Sequence, residues 1–271
     1  MTFVPAGLPA GSPDSKPSAD GEALIRSTVT AGIAEVVLNR PAARNAINLP
    51  MAQALQAALE DLSRREDVRV VILTGAGDKA FAAGADIADL YARTSREALL
   101  SINARLFQGV EEFPLPTVAA IRGYALGGGL ELALACDIRI AADDAKLGLP
   151  EVSLGIFPAA GGTRRLPRLI GDGLARELVF TGRIVNADEA LRIGLVNRVV
   201  PSGRLEEEAR ALAAEIAKNG ELALRMAKLS LLATARGVDS DAIEKAAQAL
   251  LFDSPEKATR MQAFLDRKKK G

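Results

Sequence analysis

The sequence contains no histidine and no tryptophan, one cysteine, and aromatic residues at only 4% of its 271 positions. Each shortage narrows the chemistry. Without histidine, the side chain that ordinarily titrates near neutral pH is missing, so proton transfer falls to carboxylates. The same absence removes any Ser-His-Asp triad, and no Gly-x-Ser-x-Gly run occurs. Cys136 has no partner for an internal disulfide and no histidine with which to build an ordinary zinc site, which leaves only an all-oxygen site for a hard cation. Neither sign of charge is in excess: Lys plus Arg and Asp plus Glu both total 34, so the chain offers no general field to nucleic acid or anionic lipid. Apolar runs of membrane-spanning length are also absent, and the leading residues lack the basic and apolar regions of a secretory signal. Together these features predict a soluble protein of the cytoplasm, with neither nucleic acid nor membrane as partner.

What is present is aliphatic. Hydrophobic residues make up 49% of the chain, enough for a sizeable core of Leu, Val, Ile and Ala. Residues 1–21 carry Pro5, Pro9, Pro13 and Pro17 among Gly, Ser and Asp, a composition that predicts a disordered tail. Leu24 to Thr30 and Ile33 to Leu38 read as a hairpin turning at Ala31-Gly32. Asn48 reads as the cap of a helix with Pro50 in its first turn and Ala54, Leu55, Ala58, Leu59 and Leu62 on one face. Val68 to Thr74 is a β-branched run suited to a strand covered on both sides. A helix is expected from near Asp86 and another over Ser95 to Glu112, ended by Pro114 and Pro116. Thr117 to Ile121 and Ile138 to Ala142 read as strands flanking a glycine-led helix through Ala135, which is α/β grammar. From about Asn186, where Glu189 completes a capping-box spacing, only helices are expected. They cover Arg204–Ala217, Glu221–Ala233, Asp239–Leu251 and Pro255–Lys268, and are expected to pack on the core or on a partner subunit.

Several motifs carry candidate chemistry. Gly75-Ala76-Gly77-Asp78-Lys79-Ala80 imitates a dinucleotide fingerprint, but no helix starts within it, and a tight turn fits better. Phe81-Ala82-Ala83-Gly84-Ala85-Asp86 places an outward N–H at Ala85, although a plain glycine turn with Asp86 as a cap explains the same residues. Gly127-Gly128-Gly129 is costly in backbone entropy at a helix start and suggests a ligand against the main chain; close helix–strand packing is the plainer alternative. A free N–H near Gly128, paired with that of Ala85, would form an oxyanion hole. Glu131 sits in the first turn of the glycine-led helix, where it suits the helix dipole, yet Leu130, Leu132, Ala133, Leu134 and Ala135 leave it no polar face. Glu151 lies in another nearly uncharged stretch, between Pro150 and Val152. Two carboxylates in such surroundings are costly unless paired or used, and the pair near two glycine turns points to catalysis. Arg164, Arg165 and Arg168 read as a solvated helix face or an interface, and Lys268-Lys269-Lys270 as a solvated end.

Phe81–Asp86, Gly123–Glu131 and Gly148-Leu149-Pro150-Glu151, in this order, resemble the crotonase superfamily, and within it the enoyl-CoA hydratases. Asn39-Arg40-Pro41, Asn45-Ala46 and Gly194-Leu195-Val196 keep the same register, so the resemblance runs from about residue 24 to 268. It implies an α/β spiral of ββα units over residues 22–199 and a helical C-terminal region, 200–271, used to assemble trimers or hexamers. It further implies a coenzyme A thioester as substrate, with no metal or redox cofactor. By resemblance, Glu131 and Glu151 are the catalytic pair and Ala85 and Gly128 the oxyanion-hole amides. Ala46, Ala83, Asp86, Ile87, Gly127, Pro150 and Leu154 would surround the thioester and pantetheine. Ala159 departs from the glycine common in the hydratases but keeps the N–H that the family uses there to orient water. The expected reaction is reversible hydration of a trans-2-enoyl-CoA. Isomerisation, decarboxylation or thioester hydrolysis on the same fold, or a non-catalytic RNA-binding role, stand as alternatives.

Overall fold

The structure is a computed structural model, described here for residues 22–268. The proposed tail at residues 1–21 and the last lysines, Lys269 and Lys270, lie outside the described residues.

The chain opens with strands β1 (Ile25–Thr30) and β2 (Ile33–Leu38), an antiparallel hairpin in which Thr30 pairs with Ile33. Its loop is the expected Ala31-Gly32, both with positive φ (50° and 83°), the geometry of a two-residue turn that matches strand twist. Helix α1 (Leu49–Arg64) follows, capped by Asn48, whose side chain accepts from Met51 N at 3.0 Å. Its buried stripe is Met51, Ala52, Leu55, Leu59 and Leu62.

From here each pass of the chain gives one long strand and one short strand before its helices. β3 (Val70–Gly75) is followed by β4 (Ala80–Ala82), β5 (Thr117–Ile121) by β6 (Tyr124–Leu126), and β7 (Ile138–Ala142) by β8 (Lys146–Gly148). The long strands join the hairpin in a six-stranded sheet, completed by β10 (Arg198–Val200), in the order β1-β2-β3-β5-β7-β10. All pairs after the hairpin are parallel. The short strands form a second sheet with β9 (Val185–Asn186), in the order β4-β6-β8-β9. This is the expected α/β spiral of ββα units. The first pass carries α2 (Ile87–Ala92), α3 (Ser95–Leu99) and α4 (Ile102–Glu111). The second carries α5 (Gly128–Ala135), and the third α6 (Gly162–Ile170) and α7 (Asp172–Thr181).

Parallel strands need both faces covered. On one face Val71, Leu73, Ala119, Ile121 and Ala141 meet α1, α4 and α5 in the larger apolar cluster. On the other, Val70, Ile72, Val118, Ala120, Ile140 and Ala142 meet Leu205, Ala209, Leu212 and Ala213 of α9 (Leu205–Ala217). The C-terminal region continues as α10 (Glu221–Ala235), α11 (Asp241–Phe252) and α12 (Pro255–Lys268). α9 packs on the core, whereas Leu229, Leu231, Leu250, Phe252, Met261, Phe264 and Leu265 on the later helices stay exposed.

Two expectations are corrected. The helix expected over Ser95 to Glu112 is broken, because Ser101 takes a left-handed conformation (φ 49°) that turns the chain between α3 and α4. Nor is the chain purely helical beyond Asn186. Short α8 (Ala187–Arg192) is followed by β10, which pairs with β7 over only three residues, too few for a period to show.

Candidate active site

Three loops leave the carboxyl ends of adjacent parallel strands in the small sheet. Ala82 of β4 pairs with Ala125 of β6, and Leu126 of β6 with Gly148 of β8. The segments that follow, Gly84-Ala85-Asp86, Gly127-Gly128 and Pro150-Glu151, therefore converge, in the position where ligands bind in parallel sheets.

Glycine permits the convergence. A Cβ on Gly129 would lie 1.9 Å from Ala82 O, so α5 sits directly against β4. That contact brings the next glycine to Ala85, where a Cβ on Gly128 would be 3.5 Å from Ala85 N. Among the described residues, neither amide is engaged. In the bridge between Ile47 and Ala85, Ile47 N donates to Gly84 O (2.8 Å) and Asp86 N to Ile47 O (3.3 Å), so the intervening Ala85 N–H points away. Gly128 begins α5, whose first internal bond is Glu131 N to Gly127 O at 2.9 Å, and its own N–H precedes that ladder.

Glu131 is 3% exposed, and its Oε1 accepts from Ala160 N and Gly162 N, each at 2.8 Å. Burial raises its carboxyl above the usual range, and the two amides work against that rise. Gly162 opens α6, so the carboxylate also faces a helix N-terminus. Glu151, in a 3-10 turn over Pro150–Leu154, packs against Gly127: a Cβ there would be 3.1 Å from Glu151 Oε1. Gly127 has φ 51°. Glu151 Oε2 is buried with no hydrogen-bond partner among the described residues. Burial, with the Glu131 charge nearby, pushes the Glu151 carboxyl up to about 7. The two acids around one glycine turn thus sit in unequal surroundings: Glu131 accepts two amide hydrogen bonds, whereas Glu151 Oε2 accepts none from the described residues.

The remaining candidates surround this centre. Ala83 N donates to Arg44 O at 3.0 Å. Asp86 caps α2 through Ala88 N (3.1 Å), and Arg40 Nη1 joins Asp86 Oδ2 (2.9 Å) to Ala46 O (3.1 Å). Arg40 therefore holds the Asp86 carboxyl below its usual range. Asn45, wholly buried, donates to Ala76 O (3.0 Å) and Ala80 O (2.8 Å), tying the Ala46 loop to the turn between β3 and β4. Pro150 opens the 3-10 turn, while Ile87 and Leu154 are exposed at 60% and 56%.

Sequence reasoning located an orienting N–H near Ala159; the amides that reach Glu131 belong to Ala160 and Gly162. The arginine cluster is corrected. Arg165 is 4% exposed, not on a solvated face, and bonds Ala160 O (3.0 Å) and Glu111 (3.1 Å). No local signal marks it, because its carboxylate partner Glu111 lies 54 residues away in the chain. The dinucleotide-like Gly75–Ala80 run is a tight turn between β3 and β4, with Gly77 at φ 78°. Among the described residues no group of three His, Cys, Asp or Glu side chains could hold a metal, and no helix is long and apolar enough to cross a membrane.

Comparison with known proteins gives the family. Residues 28–271 match the enoyl-CoA hydratase/isomerase family. The crotonyl-CoA hydratase of Syntrophomonas wolfei is 42% identical over 244 residues, covering 88% of this chain and 93% of that protein. The short-chain-enoyl-CoA hydratase of Clostridium acetobutylicum is 41% identical, covering 88% and 92%. The crystal structure of enoyl-CoA hydratase from Bacillus anthracis superposes with a TM-score of 0.86 at 42% identity, covering 90% of this chain and 97% of that one. By sequence, fold and the convergence of its three strand-end loops, the chain belongs to the enoyl-CoA hydratase/isomerase family of the crotonase superfamily.

Proposed function

We propose that the protein hydrates trans-2-enoyl-CoA thioesters reversibly to 3-hydroxyacyl-CoA. The observation that carries this reading is the pair of unequal buried carboxyls, Glu131 held by two amides and Glu151 poised at about 7, beside two unengaged amides. The thioester oxygen accepts from Ala85 N and Gly128 N, which draws electron density from C3 and stabilises an enolate-like state. Water lies between the two glutamates. Glu131 takes a proton from it as the oxygen bonds to C3, and Glu151 gives its own proton to C2. One proton enters the pair and one leaves it, and transfer from Glu131 back to Glu151 restores the starting state. Each oxyanion donor contributes roughly 2.7–4 kcal/mol, and the acid–base pair about 10²–10⁴-fold.

This chemistry calls for no resident cofactor, and coenzyme A arrives with the substrate. The segments carrying Ala46, Ala83, Asp86, Ile87, Gly127, Pro150 and Leu154 are assigned to the thioester and pantetheine. The exposed apolar faces of α10–α12 supply the surface for trimers or hexamers. A single buried cysteine suits a reducing cytoplasm.

The names of the relatives make crotonyl-CoA the substrate to try first. Purified protein is expected to remove its enone absorbance, and Glu131→Gln and Glu151→Gln each to lower that rate by about 10²-fold or more. Retention of activity by both variants would sink the mechanism.

A further inference from the structure

An ion pair between Arg165 and Glu111, 4% and 13% exposed, lies against the peptides that bond Glu131. Arg165 Nη1 donates to Ala160 O at 3.0 Å, and its Nη2 to Glu111 Oε2 at 3.1 Å. The neighbouring peptide groups present Ala160 N and Gly162 N to Glu131, both at 2.8 Å. The three consecutive peptides are thus gripped from opposite sides. Gly161, at φ 110°, makes this possible, because a Cβ there would lie 2.1 Å from Arg165 Nη1. Glu111, the last residue of α4, also takes Arg164 at 2.9 Å and Arg236 at 3.4 Å; Arg236, beyond the end of α10, reaches Glu112 at 2.7 Å as well. Burial opposes ionisation of Glu111, but Arg165 and Arg164 overcome it and bring its carboxyl down to about 2.

Such a pair is a poor source of net stability, because desolvation offsets the attraction. It does fix geometry. We propose that Arg165, seated by Glu111, is a positioning residue for hydration: it clamps residues 160–162 so that both amides stay on Glu131, and Arg236 ties this clamp to the C-terminal helices. The proposal rests on Glu131 acting as the base.

The amides hold the Glu131 carboxyl down against burial, and the charged groups bearing on it are Glu151 from the 3-10 turn and Arg165 from α6. Loosening the clamp therefore lets that carboxyl rise. The test measures kcat, KM and the pH profile of crotonyl-CoA hydration for Glu111→Gln and Arg165→Met, with Glu131→Gln beside them. In the two clamp variants kcat is expected to fall roughly tenfold to a hundredfold, as a misplaced catalytic group does. KM should stay within about threefold, because the thioester is held by Ala85 and Gly128. The acid limb of kcat/KM should move to higher pH. A folded Glu111→Gln variant with wild-type kcat and an unmoved acid limb would overturn the proposal, as would a change in KM alone. Should Arg165→Met not fold, Glu111→Gln, which preserves side-chain volume, decides alone. An active Glu131→Gln would instead remove the underlying assignment of the base, a distinct result.

Discussion

The two sheets are made of different material. Apart from β10, strands of the six-stranded sheet run five or six residues, and their alternate side chains fill two apolar clusters, one on each face. Strands of the four-stranded sheet run two or three residues; β4 and β6 lead into glycine turns at Gly84 and Gly127, and β8 ends at Gly148 before the turn that carries Glu151. The long strands lie in the hydrophobic interior, where stability resides, whereas the short ones end at the loops that carry the candidate site. The difference teaches that this molecule supports its chemistry on its least regular sheet, which the larger one holds in place.

The comparison can be broken most severely at the central glycine turn. Gly128→Ala puts a methyl group in ordinary contact with Ala85 N, so the protein should fold while the hole is filled. Loss of one or both donors predicts a fall in kcat of about 10²–10³ per donor, with the melting temperature nearly unchanged. Gly129→Ala has no such latitude, since its methyl would meet Ala82 O at 1.9 Å. Expression and circular dichroism of the two variants side by side should separate filling the site from breaking its support.

The large sheet should behave in the opposite way. Leu73, 2% exposed in the larger cluster, is expected to cost about 2–5 kcal/mol on change to Ala, read by chemical denaturation. Below its lowered melting temperature, kcat should stay close to wild type.

A smaller effect sharpens the comparison through pH. The Glu151 carboxyl rises from an ordinary 4.5 to about 7 on folding, so the native state binds the proton more tightly than the unfolded chain. Its stabilising contribution is complete below about 4.5 and is lost as pH rises through about 7. The loss is on the order of 2 kcal/mol once solvent screening is allowed for, and Glu151→Gln should flatten that part of the stability curve. The proposed mechanism uses the same proton, so kcat/KM should decline above about 7 in the wild type. The smallest effect belongs to Arg210, whose exposed pair with Glu35 (2.6 Å) joins α9 to β2. Arg210→Ala should change stability by about 1 kcal/mol or less.

Legibility in the sequence followed the same division. Thr117 to Ile121 and Ile138 to Ala142 were delimited correctly because continuous apolar runs between turn residues are strong local signals. β10 was missed: three residues between Asn197 and Pro201 carry no period, and only their pairing with β7 makes them a strand. The helix break at Ser101 left no mark either, since serine ordinarily avoids its left-handed conformation and tertiary packing imposes it. At the site, Glu131 and Glu151 were visible because charge stands out in apolar company. The Arg165 clamp was not, because its partners Glu111 and Arg236 are 54 and 71 residues away in the chain. A cluster of arginines looks solvated until the fold supplies carboxylates.

Ala85 and Gly128 contribute only atoms that every amino acid but proline possesses. Point substitution by anything other than proline can therefore crowd this pair of donors but cannot delete it, whereas many substitutions delete either glutamate. On the proposed assignment of these amides, a lineage built on this scaffold is free to exchange Glu131 or Glu151 and explore a different transformation without surrendering its grip on a thioester. For the engineer, the two acids are the interchangeable parts and the peptide groups beneath them the permanent fixture.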